Sequence, residues 1–364
     1  MRPKILTVTI PTWNRVVLLE ELLTVLVSEI IENNISEKIE LLISNNGSND
    51  GTEELVVKLM EKHPFISYNN NINNKGARYN VLKCMELAKA EFLILFGDDD
   101  RPNKGAIKKI VDFIEAHPKA GAIYDSRIFK KNQFGNSVVS LEVLLQNFFY
   151  YLGNAGLFII RSAYVKSVLN THTYDYFSPT WPQTQIFILA LTIFHKDEIH
   201  INNLNILAQG RHDEVMIYSS YYLWRTTYFD FIKVVESIEK EIKAETSRSA
   251  KKYFYSNVLQ LFFNILQCGV FVDEKQVRIK TSKDILSNLK LFSLKERIFL
   301  SIAGITLLMP VSVTRLFSNL FIFFTRGFEG LKKKNEFVAK EKLKKIKKQK
   351  QYSNVVREFD FENV

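Results

Sequence analysis

A short apolar run, Glu91-Phe-Leu-Ile-Leu-Phe96, ends abruptly in Gly97-Asp98-Asp99-Asp100. Apolar runs of this length, bounded by turn residues, form buried strands. Three consecutive carboxylates at a strand end repel one another unless something neutralises them. Hard divalent cations such as Mg²⁺ or Mn²⁺ take oxygen ligands and suit that role. A cation at a strand's carboxyl end is also well placed to hold a diphosphate. The competing reading is a solvated acidic turn ahead of a helix that begins near Asn103.

The residues around this run alternate strand and helix. Strands are expected at 4–10, stopped by Pro11, and at 39–44, 65–68, the Phe92 run and 120–124. Helices are expected at 18–31, 52–62, 75–88 and 103–116, with Asp50 and Glu53 spaced as a capping-box variant at the second. Strands joined by helices imply right-handed crossovers and a mostly parallel sheet. Ligands bind such sheets at the carboxyl ends of the strands. Three polar clusters should therefore meet at one edge: Pro11-Thr12-Trp13-Asn14-Arg15, Asn45 to Asp50, and Asp98 to Asp100. No G-x-G-x-x-G follows the first strand, which argues against a nicotinamide or flavin site, and no P-loop motif is present.

Four segments in order, T-V-T-I-P-T-W-N-R, I-S-N-N-G-S-N-D-G-T, N-x-x-N-K-G-A-R-Y-N and L-F-G-D-D-D-R-P, fall within residues 4–125. Together they resemble a family 2 glycosyltransferase of the GT-A fold. The resemblance implies an α/β architecture, a Rossmann-like, mostly parallel sheet flanked by helices, followed by an α-helical C-terminal region. It further implies a nucleotide-sugar donor, a divalent metal (Mn²⁺ or Mg²⁺) and inverting transfer to an acceptor hydroxyl. Pro11, Thr12, Asn14 and Arg15 match the donor-binding turn after the first strand. Asn45 and Asn46 fall where the family has a pair of acids, one of which reads the base. An amide both donates and accepts, so base selectivity should differ, while Asn-Gly is equally a turn signal. Lys75, Gly76 and Arg78 match the loop and helix start beside the donor, with a solvated helix residue as the alternative for Arg78. Gly97 stands where the first acid of D-x-D commonly falls. Asp99 is then the principal metal ligand, with Asp100 beside it and Asp98 in the donor site. Taking Asp98-x-Asp100 as the motif is the other alignment. The metal would act as a Lewis acid on the departing diphosphate.

Inverting transfer also needs a carboxylate as general base. The helix that supplies it in the family corresponds to 183–194 here, and its opening, Trp181-Pro-Gln-Thr-Gln185, contains no acid. Asp175 upstream and Asp213 or Glu214 downstream are the remaining candidates, each with a surface acid as the plain alternative. Arg211 and His212, after an expected strand at 205–208, match a loop that lies near the diphosphate in the family; His212 is a candidate phosphate donor or metal ligand.

The chain has 364 residues, room for a domain of about 200 residues and an appendage. The expected division is a transferase domain over 1–215, a helical accessory region over 216–330 and a basic tail over 331–364. Aromatic residues at helical spacing mark 218–242 and 253–272. The apolar run at 298–309 is too short to span a bilayer, which needs ~20 residues, and suits an interfacial helix or a buried hairpin. Between Lys332 and Lys350 ten lysines face only Glu336 and Glu341, a net +8 of the chain's +10. Such a tail is drawn to anionic lipid. The lysines lack interleaved aromatics, so no nucleic-acid partner is expected. Cys84 and Cys268 lie far apart without metal-ligand spacing, and the N-terminus lacks the apolar stretch of a signal peptide. The resulting expectation is a cytoplasmic enzyme, peripheral on the inner face of the membrane, with a glycan or lipid-linked glycan acceptor, acting in polysaccharide or surface-antigen assembly. Two alternatives are a non-catalytic GT-A-like binding or scaffold protein and a nucleotidyltransferase. The latter usually has a Gly-rich basic loop after strand one, which Pro11 to Asn14 does not supply.

Overall fold

The computed structural model describes residues 3–126, 135–148, 152, 154–194, 197–208, 230, 234, 237, 275–291, 294–317 and 319. Eight strands form one sheet: β1 (Leu6–Thr12), β2 (Ile39–Asn45), β3 (Ile66–Asn70), β4 (Phe92–Leu95), β5 (Ala120–Asp125), β6 (Ser137–Val139), β7 (Phe158–Arg161) and β8 (Glu198–Asn202). Their order is β3-β2-β1-β4-β7-β5-β8-β6. The first four are parallel, β7 runs antiparallel to both β4 and β5, β8 is parallel to β5, and β6 closes the edge antiparallel to β8.

β1 and β2 are apolar runs buried on both faces, the pattern a sheet covered by helices on each side requires. The side chains of Leu6, Val8, Ile10, Phe92, Ile94 and Phe96 join one core with α1 (Val16–Glu32), α2 (Thr52–Met60) and α4 (Ala106–Ala116). In α4, Ala106, Ile107, Ile110, Val111 and Ile114 recur at helical spacing and are all buried. The opposite layer contains α3 (Ala77–Leu87), α6 (Ser162–Thr171) and α7 (Pro182–Ile193), which touch one another. A further helix, α5 (Leu141–Phe148), follows β6.

Three local expectations are corrected. β1 does not stop at Pro11 but continues to Thr12, with Pro11 opposite Ser44. Proline has no N–H to give a ladder; pairing is completed beyond it by the Asn46 N–H donating to the Thr12 carbonyl at 2.9 Å. Asp50 and Glu53 do not form a capping box. Gly51, at φ +91°, is the N-cap of α2, and Asp50 serves two helices at once. One of its oxygens accepts from the Thr52 hydroxyl at 2.6 Å and the Thr52 N–H at 3.3 Å, and the other from the Val16 N–H that opens α1 at 2.9 Å. Glu53 instead accepts from Asn70 at 3.0 Å. The chain at 205–208 forms a single bridge, Pro102 with Leu207, instead of the expected strand.

The chain divides into two units, residues 1–212 with 233–250, and residues 213–232 with 251–364. The described part of the second unit is a helical hairpin, α8 (Lys275–Ser287) and α9 (Leu294–Leu308), followed by a helical turn at 311–317. Among the described residues no helix is long and apolar enough to cross a membrane.

Candidate active site

The acidic turn lies where β4 leaves the sheet, beside the end of β1. Asp98 is buried, and both of its oxygens are engaged by the β1 turn: Oδ2 accepts from the Thr12 hydroxyl at 2.8 Å and Oδ1 from the Arg15 guanidinium at 2.8 Å. Asp100 is buried too, and its Oδ2 accepts from the Gly97 N–H at 2.7 Å. Among the described residues Asp99 takes only a longer ion-pair contact, 3.6 Å from Arg15. Burial pushes the Asp98 carboxyl above its ordinary pKa; Arg15 opposes this and Asp99 adds to it. Asp100 is raised further, by burial first, against the pull of the Gly97 N–H, and then by Asp99 and Asp98. Three carboxylates thus crowd a site in which one guanidinium contacts two of them.

The adjoining edge, at the ends of β2 and β3, is neutral and closed on itself. Every hydrogen-bonding position of the Asn46 amide is used: Nδ2 donates to Asn74 at 2.7 Å and to the Gly76 carbonyl at 3.2 Å, while Oδ1 accepts from Asn71 at 3.0 Å and the Lys75 N–H at 3.1 Å. Asn80, at the start of α3, accepts from Ser44 and Asn71 and donates to the carbonyls of Ser44 and Thr12. Asn45 donates to the Tyr68 hydroxyl at 2.9 Å and accepts the Ser48 N–H at 3.0 Å. Gly47 is required here. Its φ is +72°, and a Cβ would stand 2.7 Å from the Asn73 backbone. Asn14, at φ +50°, bridges back to this edge through Ser48 and Asn49.

Beside the acidic turn, where β1, β4, α3 and the start of α7 meet, opens a cleft of about 180 Å³, lined by Pro11, Arg78, Gly97, Ala155, Thr180 and Gln183 among others. α7 points its N-terminal turn at this cleft, and Pro182 suits that first turn because its missing N–H is not needed there. No carboxylate is among the described lining residues.

The structure brings Thr12, Arg15, Asp98, Asp99 and Asp100 together, and places Pro11 and Arg78 in the cleft wall. Lys75 lies over the Tyr79 ring, 4.7 Å from its centroid, and Gly76 (φ +85°) turns the chain into α3. Asn45 and Asn46 are inward-facing scaffold residues in this conformation, so reading a base through Asn46 would require giving up one of its four internal bonds. Arg78 is not a solvated helix residue: it ion-pairs with Asp175 and donates to the Phe177 carbonyl at 3.2 Å. Asp175 itself is 87% exposed and lies outside the cleft lining. Arg211, His212, Asp213 and Glu214 lie outside the described residues. The chain leading toward them is anchored beside the acidic turn, with the Ala208 N–H on the Arg101 carbonyl at 2.8 Å. Sequence reasoning passed over Ala155, Thr180 and Asn80. Only the Asn80 position, an amide in the first turn of an otherwise plain helix, carried a signal.

Among the described residues no three His, Cys, Asp or Glu side chains converge on one metal position. The donor set nevertheless fits a hard cation that brings its own phosphate ligands, since Mg²⁺ is commonly held by one or two carboxylates plus substrate oxygens. Asp99 supplies such a carboxylate. Its Oδ1 lies 2.9 Å from where a Cβ on Gly97 would be, so the carboxylate occupies space that an acid at 97 would need.

Residues 7–171 match the family model described as Glycosyl transferase family 2. The chain is 33% identical over 108 residues to the abequosyltransferase RfbV of Salmonella typhimurium, an overlap of 29% of this chain and 32% of that relative. It thus spans about a third of that protein's length. It is 23% identical over 259 residues to the GalNAc(5)-diNAcBac-PP-undecaprenol beta-1,3-glucosyltransferase of Campylobacter jejuni, covering 68% of this chain and 78% of that one. Among solved structures, S. aureus TarS 1-349 in complex with UDP superposes with a TM-score of 0.53 at 16% identity, over 86% of this chain and 91% of that chain. The likeness establishes the GT-A-type fold.

Proposed function

From a chain that carries a family 2 glycosyltransferase domain over residues 7–171, we propose a glycosyltransferase that moves a sugar from a nucleoside-diphosphate donor to an acceptor hydroxyl with inversion. The observation that supports this most is the crowded acidic turn, three adjacent carboxylates of which Arg15 contacts two, beside a cleft at the carboxyl ends of β1 and β4. Asp99, with Asp100 beside it, would hold Mn²⁺ or Mg²⁺. The cation would supply Lewis-acid stabilisation to the departing diphosphate. Thr12 and Arg15 fix Asp98, and so fix the turn on which Asp99 sits. Pro11 and Arg78 border the cleft from β1 and α3. The acceptor's proton passes to a carboxylate, for which Asp175 and Asp213 are the candidates.

The Campylobacter relative is named for action on an undecaprenol-linked glycan, and a lipid-linked acceptor in polysaccharide or surface-antigen assembly is proposed here as well. The lysine-rich segment 332–350 adds an anionic membrane surface, at the cytoplasmic face, as partner. The test is calorimetric binding of UDP, GDP, CDP and dTDP with and without Mn²⁺, followed by transfer assays with the sugar donors of whichever nucleotide binds. One nucleotide bound only with metal supports the reading; none bound in any condition contradicts it. A non-catalytic binding protein is the second reading, motivated by the helix opening Trp181-Pro-Gln-Thr-Gln185, which carries no acid. Metal-dependent donor binding without turnover on any lipid-linked acceptor would select it.

A further inference from the structure

The hairpin of the second unit carries a surface that the donor site does not use. α9 packs on α8 through Leu300, Ala303 and Leu307, all buried, and Ser282 donates to the Gly304 carbonyl at 2.7 Å. The contact is close: a Cβ on Gly304 would stand 2.9 Å from Leu286. This fixes which side of α9 faces α8. The other side is also apolar. Ile298, Ile302, Ile305 and Leu308 recur at helical spacing and are each about half exposed, and Leu294, Leu316 and Phe317 extend the stripe at both ends. A surface helix of a soluble domain carries polar residues on its outer face, and an exposed apolar run of this length marks an interaction surface.

Among the described side chains of this unit the exposed charges have one sign. Lys275, Lys280, Lys283, Lys290, Arg297 and Arg315 are all exposed, whereas the acids Asp284 and Asp230 are half-buried and buried. Among the described side chains of this unit no acid is exposed. A second copy of the chain would bring the same positive field against itself. An anionic lipid surface satisfies both features, taking the apolar stripe between its acyl chains and the cations at its headgroups. The α9 helix, at 15 residues, is too short to span the bilayer, so it would lie in the interfacial plane.

We infer that the Ile298–Ile302–Ile305–Leu308 face of α9 is the surface by which this protein lies on anionic membranes. The inference rests on the membrane partner proposed above and names the element that enters the lipid. The 332–350 segment then acts as an electrostatic tether.

The experiment is flotation of the full-length protein with phosphatidylcholine vesicles, with and without phosphatidylglycerol. It compares wild type, the triple replacement Ile298→Ser/Ile302→Ser/Ile305→Ser, and a chain lacking residues 331–364. The expected result is wild-type binding that needs phosphatidylglycerol, and partitioning of the triple variant weaker by about tenfold or more, with nucleotide binding unchanged. Because the triple variant could misfold, Ile302→Trp is measured in parallel. Its added emission should be quenched by brominated acyl chains. Loss of binding on tail removal alone, with the triple variant and the Ile302→Trp emission unaffected, overturns the α9 assignment and leaves the membrane partner standing. Failure of the wild type to bind any vesicle removes both. A wild-type dimer that the triple variant turns monomeric assigns the stripe to a second copy. A large fall in Tm with vesicle binding unchanged assigns it to another segment of the same chain. Either outcome overturns the inference.

Discussion

At the ends of β2 and β3, Asn45, Asn46, Asn71 and Asn80 close their hydrogen bonds on one another and on nearby backbone. At the ends of β1 and β4, Asp98, Asp99 and Asp100 crowd together, with one guanidinium contacting two of them, and burial raises two of them above their ordinary pKa. The two clusters adjoin on the same sheet edge. Burying polar groups costs little when every position is satisfied and much when charge is left uncompensated. The amide edge is therefore satisfied within the folded chain, whereas an added positive charge would ease the crowding at the acid edge. Acids whose pKa is raised by burial beside a cleft mark where a charged ligand is expected.

Removing either cluster should then have opposite consequences. Asp99→Ala should lower transfer by roughly 10³-fold, the scale of losing a group that stabilises charge developing in the transition state. Its Tm should be unchanged or higher, since one crowded carboxylate is gone. Transfer assays beside thermal melts check this. Asn46→Ala should do the reverse. It removes one partner of the buried Asn71 amide and three further bonds of the edge, and should cost about 3 kcal/mol of stability, read by urea unfolding. The activity of the surviving folded fraction should fall much less than for Asp99→Ala.

Asp175→Asn sharpens the contrast just outside the cleft. The carboxylate is exposed and paired with Arg78, so if it acts by steadying Arg78, kcat/KM should fall by less than about tenfold. A true general base would cost roughly 10²-fold or more and alter the pH profile. The smallest effect concerns Cys84, buried under the amide edge. Burial raises its thiol well above the ordinary 9.0. The folded thiol stays protonated where the unfolded one ionises, so stability should fall as pH rises above 9.0, by on the order of 1.4 kcal/mol per pH unit. In Cys84→Ala that part of the alkaline slope should vanish from denaturation curves taken across the range.

The first five strands were legible because each is an apolar run ended by turn residues or an acid. β6, at three residues, carries too little pattern for periodicity to register, and β7, no shorter than β4, falls outside the regular strand–helix alternation of the first five. The antiparallel place of β7 between β4 and β5 depends on tertiary pairing that no local signal encodes. The acidic turn announced itself, since adjacent like charges at a strand end need an explanation. The asparagines were ambiguous for a physical reason: amide side chains suit both a tight turn and a ligand contact, and the internal hydrogen bonds they make in the folded chain carry no local sequence signal. The Arg78 pairing with Asp175 joins residues 97 positions apart, which is why both looked available for chemistry.

The most direct test of the account is a side-by-side titration of wild type, Asp99→Ala and Asn46→Ala with the nucleoside diphosphate that binds, with and without Mn²⁺, alongside their melting temperatures. The account predicts that Asp99→Ala melts like wild type and loses the metal-dependent binding, while Asn46→Ala melts lower and keeps it. Metal-dependent binding that survives in Asp99→Ala and disappears in an Asn46→Ala protein of unchanged Tm would contradict it.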